Sequence, residues 1–365
     1  MQIDQLKNEV YNTDSLPQGT MVDKIIFSTF TTDGSVLLRK LDGNDTLYST
    51  KDTLDFTTPR KFTVYASDGS GSREYTVKVN VHQADPEAYT WIADGGTNVD
   101  IAAMSDMKML VDNDMLYLWG KKDGTTVLMT RQGAENIDLQ SITRFNGTFF
   151  ATCTDGLMKS ADGKTWETVT ANIVPLNLFG TSDTEIFAST AEGIYGSHDG
   201  STWTACETDA PASLLPQASV VTARQPLITN SKIENIVAVG YIGTTSVVWK
   251  KEIDLTGVET NPWSYYPYTE ENTKNLPYLQ GLSMIKYENN LYAAGIRDGK
   301  VEIYESVDGA RTWAVPDGKT ILPANIGLPT EIKLATGKEN TIWLVCAGTG
   351  QMWRGYLNRL KNDNN

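Results

Sequence analysis

The first 84 residues alternate between short apolar runs and turn signals. Lys24–Thr29, Val36–Leu41, Lys61–Tyr65 and Tyr75–Val81 are β-branched or aromatic runs, separated by Asp33-Gly34, Asp42-Gly43 and Asp68-Gly69-Ser70-Gly71. Asp and Gly at such breaks form Asx turns or accept positive φ, so the pattern predicts short strands. In the last run Tyr75, Val77, Val79 and Val81 face one way and Thr76, Lys78 and Asn80 the other. That alternation belongs to a half-buried strand of an antiparallel sheet. His82-Gln83-Ala84-Asp85-Pro86-Glu87 is polar and holds a proline that cannot donate to a continuing strand. It divides the chain into one domain over 1–84 and a second over 88–360.

The rest of the chain repeats itself. Residues 148–166 read TFFATCTDGLMKSADGKTW, residues 185–203 EIFASTAEGIYGSHDGSTW, and residues 290–313 NLYAAGIRDGKVEIYESVDGARTW. Each has an apolar strand, an acidic-Gly turn, a second strand, then Ser-x-Asp-Gly and Thr-Trp. The final elements are Ser160, Asp162, Gly163 and Trp166, then Ser197, Asp199, Gly200 and Trp203, then Ser306, Asp308, Gly309 and Trp313. As a hairpin staple, Ser and Asp bond turn amides, Gly takes a backbone forbidden to a Cβ, and Trp packs beneath. These segments resemble the Asp-box (BNR) repeats of sialidases, some glucan hydrolases and several non-enzymatic receptors. In the N-terminal domain, Val64–Gly69 with Arg73–Val79 resembles the closing hairpin of bacterial cadherin-like and Ig-like sandwich modules, which usually act as spacers.

Degenerate copies bring the repeat count to six. Met115–Trp119 with Thr126–Thr130 is one, Ile236–Tyr241 with Ser246–Lys250 and Pro262-Trp263 another, and Thr341–Cys346 with Gln351–Leu357 a third that lacks its fourth strand. Tyr89-Thr90-Trp91-Ile92 is a free strand, expected beside Gln351–Leu357 as the pairing that removes open edges. The expected fold is therefore all-β: an N-terminal Ig-like β-sandwich followed by a six-bladed Asp-box β-propeller closed by its terminal strands.

In such a repeat the first-to-second-strand turns share a face with the boxes, and the second-to-third-strand turns lie on the other. In Asp-box propellers ligands meet that other face near the axis. It would carry Lys121, Lys122, Asp123, Asp155, Glu192, Arg297, Asp298 and Thr349. The acidic-Gly pairs suit turns as well as function, whereas Arg297 adds a bidentate donor that no turn requires. The connection 261–281 carries Trp263, Tyr265, Tyr266, Tyr268 and Tyr278 with Glu270 and Glu271. Tyrosines suit the faces and hydroxyls of a sugar, but they would serve equally to seal the enlarged fourth blade.

Composition removes several classes. A net charge of −14 and a pI near 4.7 exclude a nucleic-acid partner, and no run approaches the roughly 20 apolar residues of a membrane span. Three cysteines and two histidines support neither a disulfide framework nor a metal site, and no cofactor motif occurs. No sialidase arginine triad is present, and His82 and His198 cannot form a copper oxidase centre. No catalytic set is assigned, although Asp123, Asp155, Glu192, Asp298, Glu270 or Glu271 could supply a carboxylate pair. The start Met1-Gln2-Ile3-Asp4 lacks a basic leader region, so the protein is either cytosolic or has lost a leader that could have carried a lipid anchor. The two-domain arrangement resembles secreted proteins and surface lipoproteins of gut Gram-negative anaerobes, which implies a secreted, periplasmic or surface-anchored place. The expectation is a monomeric, non-catalytic binding or scaffold protein contacting a glycan or protein. A glycoside hydrolase or lyase using carboxylates on the same face, and a purely structural role, are the alternatives.

Overall fold

The computed structural model describes residues 1–358 apart from 83–87, 113–114, 129–130, 133–137, 155, 228, 258–259, 269–272, 317–321 and 338–340. Met1–Ala88 and Tyr89–Leu357 belong to separate compact units.

The first unit has β1 (Gln2–Asp4), β2 (Glu9–Tyr11), β3 (Val36–Arg39), β4 (Asp45–Leu47), β5 (Arg60–Tyr65) and β6 (Ser72–Lys78). They form one sheet in the order β1-β2-β6-β5-β3-β4, with β2 and β6 parallel and the other pairs antiparallel. Leu38, Phe62 and Val77 are buried from the sheet, and Leu54 and Phe56 cover them from an irregular segment. The expected strand Lys24–Thr29 contributes only the Ile25–Leu54 bridge. Phe27 and Phe30 both turn inward, with ring centroids 5.8 Å apart, and both pack on Phe62. This aromatic layer is carried by irregular backbone in place of the expected strand.

The second unit opens with β7 (Tyr89–Ala93) and α1 (Val99–Ala102). The first of its six sheets holds β8 (Ser105–Asp112), β9 (Met115–Lys122), β10 (Thr125–Leu128) and β11 (Arg131–Gln132). The second holds β12 (Thr143–Phe145), β13 (Thr148–Cys153), β14 (Gly156–Ser160) and β15 (Glu167–Val169). The third holds β16 (Asn177–Thr181), β17 (Ile186–Ser189), β18 (Ile194–Ser197) and β19 (Thr204–Ala205). The long fourth sheet holds β20 (Ala218–Leu227), β21 (Asn230–Ile242), β22 (Thr245–Asp254) and β23 (Thr260–Tyr266). The fifth has β24 (Gln280–Tyr287), β25 (Asn290–Arg297) and β26 (Lys300–Ser306), plus one bridge from Glu305 to Ala314. The sixth has β27 (Glu331–Thr336), β28 (Thr341–Ala347), β29 (Gln351–Leu357) and, at its edge, β7.

The first strands of these sheets run in a circuit. β8 packs against β27, β27 against β24, β24 against β20, β20 against β16 and β16 against β12. The 3-10 turn Leu139–Ser141, just before β12, packs against β8 and completes it. Antiparallel pairing of β7 with β29 sets Trp91 opposite Gly355 and Ala93 opposite Trp353, as expected for Tyr89–Ile92. Gly355 is small for a reason: a Cβ there would lie 2.6 Å from the Trp91 ring.

The Ser-x-Asp-Gly turns tie neighbouring sheets together. Ser160 Oγ donates to Asp162 and accepts the Gly163 amide at 2.9 Å, while Asp162 accepts the Lys164 and Thr165 amides at 2.8 Å. Ser197 and Asp199 repeat the pattern, and the amides of Thr202 and Ser201 hold the Asp199 carboxyl far below the usual carboxylate range. In the third copy an extra residue enters, so Ala310, at φ 70°, gives its amide to Ser306 Oγ in place of glycine. Trp203 and Trp313 are buried beneath their turns and Trp166 is half-buried. Each turn glycine also meets the preceding sheet. A Cβ on Gly163 would lie 2.8 Å from Trp119, on Gly200 2.5 Å from Phe150, and on Gly309 3.0 Å from Lys250 Nζ.

Gly200→Ala should therefore destabilise the second unit by about 3 kcal/mol, combining left-handed backbone strain with overpacking against Phe150. Gly147→Ala, with φ 77° but open space around its Cβ, should cost about 1 kcal/mol. All nine tryptophans lie between residues 91 and 353, so urea unfolding followed by Trp fluorescence reads this unit alone. Equal costs at the two positions would refute the inter-sheet role.

Candidate functional site

The axis of the circuit is where polar chemistry collects. Its inner cavity, of about 100 Å³, is lined from the first strand of all six sheets, including Lys108, Thr143, Leu178, Thr222, Ser283 and Lys333. Above it, a mouth of about 260 Å³ is lined by Asp106, Gln140, Ser219, Gln280, Glu331 and Lys333 among others. Gln140, Leu282 and Lys333 belong to both walls. The mouth lies where the first strands begin, on the face opposite the Ser-x-Asp-Gly turns.

Local backbone geometry aims these groups. β8, β20 and β24 each begin with a bulge, the register slipping between Ser105 and Lys108, Ala218 and Val221, and Gln280 and Ser283. Within these bulges Asp106, Ser219 and Gly281 take φ of 51°, 53° and 68°. Bulges re-aim side chains, and left-handed non-glycine residues persist only where their surroundings over-determine them.

Hydrogen bonds knit the mouth. Gln140 Nε2 donates to Asp106 Oδ1 at 3.0 Å and to the Met107 carbonyl at 2.9 Å. Lys121 reaches Asp106 Oδ2 at 3.0 Å. Lys333, only 5% exposed, lies 3.3 Å from Glu331 Oε1 and donates to the Gln140 side chain and the Gly281 carbonyl. Glu331 also accepts the Met107 amide at 3.0 Å. Burial penalises the Asp106 carboxylate, but Gln140 and Lys121 outweigh it and hold this carboxyl below its ordinary value. Burial wins at Glu331, whose carboxyl is pushed up despite Lys333. Desolvation lowers Lys333 against the pull of Glu331.

Among the described residues, those expected from sequence lie elsewhere, with Lys121 the exception. Arg297, exposed at the end of β25, is bonded along its own hairpin to Tyr304 Oη at 3.2 Å and Glu302 at 3.5 Å. Asp298 is an exposed turn tip at φ 50°. Glu192 accepts the Tyr195 hydroxyl at 3.2 Å. Lys122 pairs with Asp100 at 2.6 Å. Asp123 is an exposed turn residue, and Thr349 lies in the turn between β28 and β29. Asp155, Glu270 and Glu271 lie outside the described residues.

Most of the described part of the aromatic connection is sheet and core, which favours its sealing role over the sugar-binding one. Trp263 is fully buried in β23 between Phe179 and Phe187, at 5.2 and 5.4 Å. Tyr265 packs on Trp249, and Tyr266 sits between Lys250 and Arg311 at 4.5 and 4.9 Å from its ring centre. Tyr268 donates to the Ala310 carbonyl at 3.0 Å and accepts the Trp313 indole N–H at 3.1 Å, and burial pushes its phenol up to about 12. Tyr278 alone is substantially exposed, at 44%, resting on Tyr241. Tyr268 seals the fourth and fifth sheets with a bonded hydroxyl, whereas Tyr266 also lines a pocket with Lys250 and Arg311 and Tyr278 keeps an open surface.

Residues 85–365 match the family described as "DUF6242 beta propeller domain", and residues 1–79 that described as "Domain of unknown function (DUF6242) N-terminal domain". The chain belongs to the DUF6242 family. Its second domain is accordingly a β-propeller. No curated protein matches this DUF6242 chain in sequence. Among solved structures it is similar to a Trichoderma reesei carbohydrate-active enzyme of family AA12, at 10% identity over 74% of this chain and 96% of the other, TM-score 0.42. It is similar to the Niastella koreensis GH74 enzyme at 17% identity over 69% and 45%, TM-score 0.38. The Hadza microbial sialidase Hz136 aligns at 12% identity over 85% and 78%, TM-score 0.40. Among the described residues, no helix is long and apolar enough to cross a membrane.

The axial groups of this DUF6242 propeller had a sequence signal. Asp106-Met107-Lys108-Met109 and Glu331-Ile332-Lys333-Leu334 repeat acid, apolar, lysine, apolar in two first strands that pack together. A lysine alternating with apolar residues is ordinary in a half-exposed strand, so the signal lies in the repetition of the same four-residue pattern in two first strands. Lys333→Met should leave Glu331 buried without its cation, at a cost of about 3 kcal/mol at pH 7. A carboxyl whose folded pKa lies above its unfolded value binds its proton more tightly when folded, so the penalty applies above that folded pKa. The deficit against the parent should shrink as pH falls from 7 to 4, measured by urea unfolding. A pH-independent deficit would show that Glu331 is not the strained partner.

Proposed function

We propose that this chain is a non-catalytic binding protein of the cell envelope, whose second unit is a six-bladed Asp-box propeller that takes the hydroxylated end of a glycan in its axial mouth. The observation that carries it is the convergence of Asp106, Gln140, Ser219, Gln280, Glu331 and Lys333 on one hollow opposite the Ser-x-Asp-Gly turns. Two carboxylates, two amides, a hydroxyl and an ammonium together offer the donors and acceptors that sugar hydroxyls need. At about 260 Å³ the hollow lies just under the usual range of roughly 300–1,000 Å³ for ligand pockets, which suits one sugar unit. Six sheets with their first strands in a circuit support the blade count, and the repeated Ser and Asp turn bonds support the box assignment. The N-terminal unit, a small aromatic-filled strand structure, would be the Ig-like spacer. Envelope placement rests on the pairing of such a module with a propeller.

A hydrolase reading has one observation in its favour: Asp106 and Glu331 share the mouth, and their surroundings push their carboxyls in opposite directions. Binding is preferred because Glu331 Oε1 already takes both Lys333 and the Met107 amide, which ties this carboxylate into the fold through one oxygen. The test is a glycan array of the intact protein at neutral pH, with arrayed sugars checked for cleavage. Binding without cleavage, weakened at least tenfold by Gln140→Ala and unchanged by Tyr278→Ala, is the expected result. Cleavage abolished by Glu331→Gln would establish the hydrolase instead, and a blank array would turn attention to a protein partner.

A further inference from the structure

The charge balance of the inner cavity points to a more specific ligand. At the mouth the charges cancel in pairs, Lys121 with Asp106 and Lys333 with Glu331. Below it, Lys108 and Lys333 are the only charged side chains on the cavity wall among the described residues. Lys108 Nζ donates to the Gln140 carbonyl at 2.9 Å and, among the described residues, has no carboxylate within ion-pair distance. An ammonium has three donors, so two remain, beside a cavity of about 100 Å³, room for several water-sized groups. A half-buried cation without a carboxylate partner is a cost that folds normally reduce by pairing.

We propose that the axial cavity is a small-anion site, in which Lys108, with Lys333 behind it, receives the carboxylate of an acidic sugar whose ring occupies the mouth. This rests on the glycan reading above and names its class: uronic-acid-like units rather than neutral ones. Gln140 couples the two compartments. Its carbonyl holds Lys108, its side-chain oxygen accepts Lys333 at 3.3 Å, and its amide nitrogen bonds Asp106 at the rim.

The site carries a pH signature. The ammonium of Lys108 is lowered to about 8 by desolvation and then by Lys333, against the weaker attraction of Asp138. The groups that face it are Lys333 from β27, with Glu331 beside that lysine, and Asp138 ahead of the 3-10 turn. Asp106, on its own strand, stays ionised with Lys121. An incoming carboxylate favours the charged amine, so binding near pH 8 should draw a proton from solution. Affinity should fall about tenfold between pH 7 and pH 9 as the free amine loses its proton.

The test is calorimetric titration of the full chain with D-glucuronate, D-glucose and acetate at pH 7 and 9, in two buffers of different ionisation heat. Expected are glucuronate bound at least tenfold more tightly than glucose, proton uptake at pH 8, and the tenfold loss at pH 9. Lys108→Met should weaken glucuronate at least tenfold and erase its preference over glucose. The parent's pH profile and proton uptake serve if that variant fails to fold. Acetate binding as tightly as glucuronate, with proton uptake, would uphold the anion site and sink the glycan reading. Glucose and glucuronate bound alike, without proton uptake, would sink the anion site and keep that reading. No binding of glucuronate or acetate at either pH would overturn the proposal.

Discussion

The ring depends on close approach between one sheet's side chain and the next sheet's turn. Trp119 rests where a Cβ on Gly163 would be, and its indole N–H donates to the Gly163 carbonyl at 2.9 Å. Phase by phase the contact repeats, with Phe150 under Gly200 and Lys250 under Gly309. A single twisted sheet has two faces to cover and cannot bury them alone, so each acquires its core from its neighbours. The glycine is demanded twice, by its left-handed backbone and by the ring or ammonium against it. The Ser and Asp side chains saturate the turn's own amides, so the turn can be buried from one side without orphaned donors.

That rigidity at the outside permits irregularity at the centre. The bulges that begin β8, β20 and β24 interrupt the ladders where the axis needs side chains redirected. Asp106 and Ser219 hold left-handed backbone there because the sheets around them are fixed. The buried Lys333–Glu331 pair stabilises little by itself, since desolvation offsets most of the attraction. Its physical effect is orientation: Lys333 grips the Gly281 carbonyl and Gln140, and Glu331 grips the Met107 amide, so three sheets meet around one ion pair.

The repeats were legible because turn chemistry is local. Ser160-Ala161-Asp162-Gly163 encodes its own hydrogen bonds within four residues, and the pairing of Tyr89–Ile92 with Gln351–Leu357 followed from counting strands. The run Lys24–Thr29 misled because β-propensity cannot tell a strand from an aromatic layer of irregular backbone. Trp263, Tyr265, Tyr266 and Tyr268 misled for a related reason. A tyrosine-rich stretch looks the same whether its rings face solvent or a neighbouring sheet, and burial is decided by residues such as Phe179, Phe187 and Trp313 elsewhere along the chain. The axial groups escaped because they meet only in three dimensions, Lys108 and Lys333 lying 225 positions apart in the sequence.

The seam formed by β7 and β29 joins residues 89–93 to residues 351–357. Nothing in the propeller can be complete until its final strand exists, whatever order the earlier sheets take. During synthesis β7 is an unmatched edge, open to pairing with the wrong strand until β29 arrives. Once latched, the ring has no loose end from which to unravel, and opening it means breaking a whole strand pair at once. The seam thus exchanges slow, long-range assembly for resistance to unwinding, and the durability of this domain should be a matter of rate as much as of equilibrium.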